Sequence, residues 1–189
     1  MCKPLSLTLT LTTPRLKLRA PSSDDIPHIF EATRTAGFND GMLWDPPATI
    51  DELQEPLRRN LEQWRQGRAY TFSFIRTKDE VFIGRISLRQ TDVKDVWDVG
   101  YFCHPKHQGQ GYTTEALAAV LELGFTQLSA THIEAWHATW NVSSRRVLEK
   151  LGMHFVEHLP EGFQKHGKWV AEDRLSISKA DWQARTTLM

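Results

Sequence analysis

Hydrophobic residues recur along the chain with two different periods, which divide it into strands and helices. Apolar and basic side chains alternate over residues 13–19, the period of a strand with one buried face. Further strand-like runs occupy residues 70–76, 81–88, 96–103, 132–136, 155–159 and 169–177. The pattern therefore predicts seven strands, and the three between residues 70 and 103 predict an antiparallel meander.

Four other segments carry apolar side chains at helical spacing. Ser23 or Asp24 can cap the first helix, and a capping box at Thr49 and Glu52 begins the second, which ends near Gly67. The apolar positions of the four helices are Ile26, Ile29 and Phe30; Leu53, Leu57, Leu61 and Trp64; Leu117, Val120, Leu121, Gly124, Phe125 and Leu128; and Val147, Leu148 and Leu151. The order β-α-α-β-β-β-α-β-α-β-β predicts an α+β fold with a mixed, mostly antiparallel sheet.

Length and composition narrow the class of protein. A chain of 189 residues fits one domain, spanning residues 1–189, with a core that needs no metal or disulfide. The 23 basic and 23 acidic residues balance, so charge gives no reason to expect a nucleic-acid or membrane partner. Two cysteines, Cys2 and Cys103, do not form a disulfide framework, and no apolar run reaches membrane-spanning length. We therefore expect a cytoplasmic protein.

Two closely spaced glycines, Gly109 and Gly111, join the fourth predicted strand to the third predicted helix. Backbone N–H groups of a glycine turn at a helix N-terminus point outward with the positive end of the helix dipole, which suits a phosphate. The same glycines can also serve only as a tight connection. No Gly-Lys-Ser/Thr follows for a P-loop, and the preceding meander is not the βαβ context of a dinucleotide fold. The remaining interpretation is that the loop binds the phosphate of another kind of cofactor.

The glycine loop resembles the first signature of the GNAT acetyltransferase superfamily, Gln/Arg-x-x-Gly-x-Gly/Ala. It reads Gln-Gly-Gln-Gly-Tyr-Thr at 108–113, with Thr113 in place of the usual glycine or alanine. Residues 141–153 resemble the second signature, Asn-x-x-Ser followed by Glu-Lys-x-Gly-Phe, and 99–102 resemble the strand before the loop. Residues 13–19 are similar to the opening strand of the Rim-type branch, which acetylates ribosomal proteins. The resemblance spans about the whole chain.

This resemblance implies a single GNAT-type domain with a seven-stranded sheet, about four flanking helices and acetyl-CoA as cosubstrate. The fourth and fifth predicted strands, 96–103 and 132–136, should splay apart so that the pantetheine arm lies between them. The resemblance assigns cofactor contacts to Tyr101, Phe102, Cys103, Gln108, Gly109, Gln110, Gly111, Tyr112, Thr113, Asn141 and Ser144. Direct attack of an amine on the thioester, without a covalent intermediate, is the implied reaction.

Acyl transfer needs a neutral amine and a stabilised leaving thiolate, which defines the candidate catalytic residues. Ser144 can donate to the departing sulfur, although Asn141 can equally be a helix N-cap and Ser144 a first-turn residue. Asp98 and Glu134 are candidate general bases because a carboxyl in a cleft near apolar groups has a raised pKa, but each can also be a solvated strand residue. A chain of water molecules can also remove the proton.

The acceptor is less constrained than the reaction. Phe38 and Trp44, in the loop before the second helix, can form an acceptor wall or belong to the core. The Rim-type opening favours a protein N-terminal α-amino group, and the alternatives are a small-molecule amine such as an antibiotic, polyamine or amino acid, or a non-catalytic acyl-CoA sensor. The histidines do not form a spaced ligand set with Cys103, so we expect no metal, and the chain can be a monomer or a homodimer.

Overall fold

A computed structural model describes residues 3–187 of the chain, with side chains as far as residue 185, so Cys2 lies outside the described residues. One eight-stranded sheet has the order β1-β2-β3-β4-β5-β6-β8-β7. The strands are β1 Thr10–Thr12, β2 Leu16–Arg19, β3 Ala69–Arg76, β4 Val81–Gln90, β5 Val96–Cys103, β6 His132–Ala138, β7 His154–Lys165 and β8 Lys168–Ser178. The helices are α1 Ile26–Thr33, α2 Gln54–Arg65, α3 Tyr112–Gln127, α4 Val142–Lys150 and α5 Lys179–Thr187.

The sheet confirms the predicted α+β fold and its mixed, mostly antiparallel pairing. Only β5 and β6 pair in parallel, and every other described pair is antiparallel. The prediction of seven strands was one short, because β1 forms a hairpin with β2 through a turn closed by the Thr13 N–H and the Leu16 carbonyl, 2.9 Å apart. A three-residue strand carries too little alternation to be recognised from sequence.

Helix α3 packs on one face of the sheet as its apolar stripe predicts. Leu117, Val120 and Leu121 are fully buried in the main core. Gly124 allows this close approach, because a Cβ atom there would lie 2.6 Å from Cδ1 of Ile133 on β6. The third predicted helix thus lies on the central strands and brings its N-terminus to the end of β5.

The opposite face is covered only in part. Helix α1 and the start of α2 bury a small apolar cluster against β3 and β4, made of Ile26, Ile29, Leu53, Leu57, Ile75 and Phe82. Over the rest of this face, the strand register aligns polar and charged side chains, which are Arg85, Ser87, Arg89, Asp98, Glu134, Glu172 and Arg174. A sheet face of this composition is suited to a polar ligand rather than to an apolar core.

A buried carboxylate joins α1 to this face. Asp25 is 1% exposed and accepts hydrogen bonds from two guanidinium nitrogens of Arg19, from the Ser73 hydroxyl and from the Ser22 N–H. Burial alone would raise the pKa of Asp25, but the hydrogen bonds from Arg19, Ser73 and Ser22 outweigh it and lower the pKa below its ordinary value. The turn before α1 is capped at Ser22, which is one residue before Ser23 and two before Asp24, the two caps predicted from the sequence.

We predict that Asp25→Asn lowers the free energy of unfolding by about 3 kcal/mol at pH 7, because it leaves Arg19 without its buried counter-ion. The depressed pKa means that the charge of Asp25 stabilises the fold above its unfolded pKa of ~3.9 and that this contribution is lost as the pH falls through the lower folded pKa. Urea denaturation at several pH values measures both effects. The exposed neighbour provides the control, Asp24→Asn, and an equal loss at acidic and neutral pH would contradict the assignment.

Candidate active site

The loop between β5 and α3 has the backbone of an anion cradle. Gly109 and Gly111 adopt left-handed conformations, with φ of 73° and 79°, and α3 begins directly after them at Tyr112. The N–H groups of residues 109–114 donate to no acceptor among the described residues. Around Gly109 the cradle is open, because an added Cβ atom would meet nothing within 4 Å. Outward N–H groups at the start of a 16-residue helix fit a phosphate or pyrophosphate.

Strands β5 and β6 separate just above this cradle. Their parallel pairing runs over only three residue pairs, from Val96 with His132 to Asp98 with Glu134, although β5 continues to Cys103 and β6 to Ala138. The splay predicted for these two strands is confirmed. The unpaired ends expose backbone groups that a linear amide-containing ligand can pair with.

A cavity of about 570 Å³, here called the loop-side cavity, lies between the separated strands and the cradle. It is lined by the predicted cofactor residues, Tyr101, Phe102, Cys103, Gln108, Gly109, Gln110, Gly111, Tyr112, Thr113, Asn141 and Ser144. Two cations of α4, Arg146 and Lys150, also line it and have no acidic partner among the described residues. Sequence reasoning missed these two, although their i, i+4 spacing on α4 was visible.

Tyr101 and Ser144 meet inside the loop-side cavity. The Tyr101 hydroxyl lies 3.0 Å from the Ser144 hydroxyl, and Asn141 caps α4 by accepting the Ser144 N–H at 3.1 Å. Burial raises the pKa of Tyr101, against a smaller lowering by Ser144, so the phenol keeps its proton. Burial also raises the pKa of the Cys103 thiol to about 11, so Cys103 lines the cavity as a neutral thiol.

A second cavity of about 990 Å³, here called the outer cavity, lies on the polar face of the sheet. The two cavities share residues at the point where β5 and β6 separate, which are Gly41, Met42, Val99, Gly100, Tyr101, Phe102 and Trp136. The gap between the strands therefore joins the two cavities. A reaction at this gap can draw one substrate from each side.

The two predicted acceptor aromatics, Phe38 and Trp44, both lie at this gap. The Phe38 ring packs edge-on against Phe102 with centroids 5.6 Å apart and lines the loop-side cavity. Trp44 is 37% exposed and lines the outer cavity. Their loop is held by the buried ammonium of Lys165, which donates to the carbonyls of Met42 and Trp44 and contacts the carboxylate of Asp45 at 2.7 Å.

The carboxylates around the gap differ in their partners. Asp98 lines the outer cavity but is bonded to Arg89, and Glu134 is bonded to Arg174 at 2.6 Å and lines neither cavity. Their roles as general base stay predictions. Glu172, which the sequence reasoning missed, lines the outer cavity, and its carboxylate makes no hydrogen bond or ion pair to any described residue.

Register and packing place Glu172 beside the gap. It lies on β8 opposite Ala138 of β6, and an added Cβ atom at Gly162 would come within 2.6 Å of its carboxylate. Burial first, and then the negative charge of Asp98, raise the pKa of Glu172. A carboxyl with a raised pKa in a cleft is suited to accept a proton near neutral pH.

No group of three or more His, Cys, Asp or Glu side chains in residues 3–187 is placed to hold a metal ion. None of the described helices combines the length and the apolar character that crossing a bilayer requires.

Comparisons with known proteins identify the family. The Acetyltransferase (GNAT) domain family matches residues 15–154. The uncharacterized N-acetyltransferase YnaD of Bacillus subtilis is 26% identical over 172 residues, which cover 91% of this chain and 98% of YnaD. The ribosomal-protein alpha-N-acetyltransferase RimL, solved with coenzyme A, superposes with a TM-score of 0.83 at 15% identity, covering 92% of this chain and 99% of RimL.

A spermidine N-acetyltransferase from Vibrio cholerae, solved with coenzyme A and spermine, superposes with a TM-score of 0.78 at 21% identity, over 90% of this chain and 99% of that enzyme. At these identities the two superpositions establish the fold alone. The family match spans well over half of the sequence and includes the glycine cradle and the start of α4. The chain therefore belongs to the GNAT acetyltransferase family and is an acetyl-CoA-dependent N-acetyltransferase.

Proposed function

We propose that this enzyme acetylates the α-amino group of a protein or peptide N-terminus. The observation that carries the proposal is the outer cavity, which is larger than the loop-side cavity and meets it at the gap between β5 and β6. A chain end can lie in the outer cavity and direct its amine toward the gap. RimL, which shares the fold, is named for alpha-N acetylation of a ribosomal protein.

Charges in the outer cavity favour a chain end over a polyamine. Three of its carboxylates are already bonded, Asp45 to Lys165, Glu52 to the backbone before α2 and Asp98 to Arg89. Only Glu172 among the described acidic lining residues is free, whereas Arg59 and Arg85 have no acidic partner there. A polycation would meet more unpaired positive charge than negative charge in this cavity.

The chain's own residues can divide the chemistry between the two cavities. Bound acetyl-CoA supplies an acetyl thioester as the acyl donor. The N–H groups of the cradle, with Arg146 and Lys150, bind its phosphates, and the free edge of β5 aligns its pantetheine arm. These contacts hold the donor in place from one side of the sheet.

Glu172 and the Tyr101–Ser144 pair then carry out the proton transfers. Glu172 accepts a proton from the incoming ammonium group, and little help is needed because an N-terminal amine has a reference pKa near ~8. The paired hydroxyls of Tyr101 and Ser144 donate a proton to the departing sulfur on the opposite side of the gap. The carbon–nitrogen bond forms as the carbon–sulfur bond breaks, and the sulfur leaves as a thiol. The nitrogen loses its second proton to solvent and becomes an amide nitrogen, and solvent returns a proton to the hydroxyl pair.

Replacement of Gly109 tests the cradle. Gly109→Val should weaken acetyl-CoA binding at least about tenfold, because a side chain would stand where the phosphates bind. Gly167→Val is the matched control, because Gly167 in the β7–β8 turn has almost the same φ, 74°, and the same open surroundings. Calorimetric titration with acetyl-CoA measures both variants. Equal affinities of the two variants for acetyl-CoA would show that the cradle does not bind the phosphates.

Replacement of Glu172 tests the base. Glu172→Gln should lower kcat/KM roughly 100-fold, and Glu161→Gln, an exposed position on β7, should not. A base acts only when ionised, so the wild-type rate should rise with pH through a pKa above the ordinary glutamate range. That rise should vanish in Glu172→Gln. The further rise near pH ~8, which comes from deprotonation of the amine substrate, should remain. A pH profile of unchanged shape would exclude Glu172 as the base.

The acceptor class itself is tested by release of free coenzyme A thiol with three groups of amines in parallel. N-terminal peptides should be turned over, with the acetyl group located on the α-amine by mass spectrometry. Turnover of only polyamines or aminoglycosides would contradict the peptide acceptor and show that the acceptor is a small molecule. Acetyl-CoA binding without turnover of any amine would instead indicate a non-catalytic acyl-CoA sensor.

A further inference from the structure

One buried cation at the outer cavity has no role in the steps described so far. The guanidinium of Arg85 on β4 lines this cavity, and its Nε and Nη2 atoms are fully buried without a hydrogen-bond partner among the described residues. A buried donor without an acceptor costs about 1–3 kcal/mol, and more when it is charged. Such a group needs a partner that residues 3–187 do not supply.

The buried carboxylate of Asp25, whose charge acts on Arg85, is not that partner. Asp25 uses both of its oxygens for Arg19, Ser73 and the Ser22 N–H, and it makes no hydrogen bond to Arg85. Burial lowers the pKa of Arg85 to about 10, against the opposing effect of Asp25, so the guanidinium stays charged at neutral pH. The positive charge therefore persists in the cavity wall.

Register places Arg85 on the opposite side of the gap from Glu172. Arg85 lies directly across from Phe102 on β5, and Glu172 lies directly across from Ala138 on β6. Paired residues on neighbouring strands are about 5 Å apart. On this face of the sheet, the unpaired guanidinium of Arg85 thus lies beside β5, and the unpaired carboxylate of Glu172 lies beside β6.

We propose that Arg85 binds a carboxylate of the acceptor, so that the enzyme selects amines that carry an acidic group close to the reacting nitrogen. For a peptide, this acidic group is an Asp or Glu side chain at one of its first two positions. The inference rests on the proposed N-terminal acetylation for the identity of the acceptor, but the carboxylate requirement follows from Arg85 itself. Arginine suits this role because its fork of donors matches a carboxylate.

Matched peptides test the proposal. An amidated peptide that begins Ala-Glu should have a KM roughly 10- to 100-fold lower than the same peptide beginning Ala-Gln. Arg85→Gln should abolish this difference by raising the KM for Ala-Glu alone, and Arg85→Lys should restore part of it. The KM for acetyl-CoA should not change. Arg65→Gln, an exposed arginine on α2 outside the cavity, is the control.

Thermal unfolding separates a binding role from a structural one. An uncompensated buried charge destabilises the free protein, so Arg85→Gln should have an equal or higher Tm than the wild type. A marked fall in Tm, together with an equal loss of activity toward both peptides, would make Arg85 a structural residue and overturn the proposal. The position of Arg85 in the cavity wall would then be incidental.

Different acceptors separate this inference from the proposed function. Turnover of both peptides at equal KM, unaffected by Arg85→Gln, would overturn the carboxylate requirement and leave N-terminal acetylation in place. Turnover of free glutamate but of neither peptide, with loss in Arg85→Gln, would support the carboxylate site and overturn the peptide acceptor. Turnover of spermidine alone would overturn both.

Discussion

The early end of the pairing between β5 and β6 is the constraint on which the active site depends. Three residue pairs hold these strands together at one end, and beyond Asp98 and Glu134 each strand keeps only its outer neighbour. The opening joins a cavity on one face of the sheet to a cavity on the other. Elsewhere in a sheet such a break would leave backbone groups unsatisfied, and here it provides them to a ligand.

The two faces of the sheet are stabilised by different interactions. On the α3 face, apolar packing fixes the strands and brings a helix N-terminus with free N–H groups to the gap. On the other face, ion pairs such as Arg89 with Asp98 and Arg174 with Glu134 neutralise most of the charge. Glu172 and Arg85 depart from this pairing. Charged groups left unpaired in a cavity wall reduce stability and are expected where a protein binds or reacts.

The sequence predicted local features well and cross-strand features poorly. The cradle at Gly109 and Gly111 could be found because its conformation and its position before α3 depend on neighbouring residues alone. Alternation along β4 and β8 places Arg85 and Glu172 on a face, but it cannot say which residues lie opposite them. That information lies in pairings to β5 and β6, which are distant in sequence. The β1 strand was missed because it has only three residues, and α5 was missed because its mainly polar sequence lacks a clear apolar stripe.

The ammonium of Lys165 also bears on the order in which the active site can be assembled. The loop-side cavity takes most of its wall from residues between 99 and 150. The loop of Met42, Trp44 and Asp45 is fixed by a lysine at least 120 positions later in the chain. During synthesis from the N-terminus, the donor half of the site can therefore fold before the acceptor wall has its anchor. The enzyme gains a defined acceptor pocket only once the β7–β8 hairpin has docked.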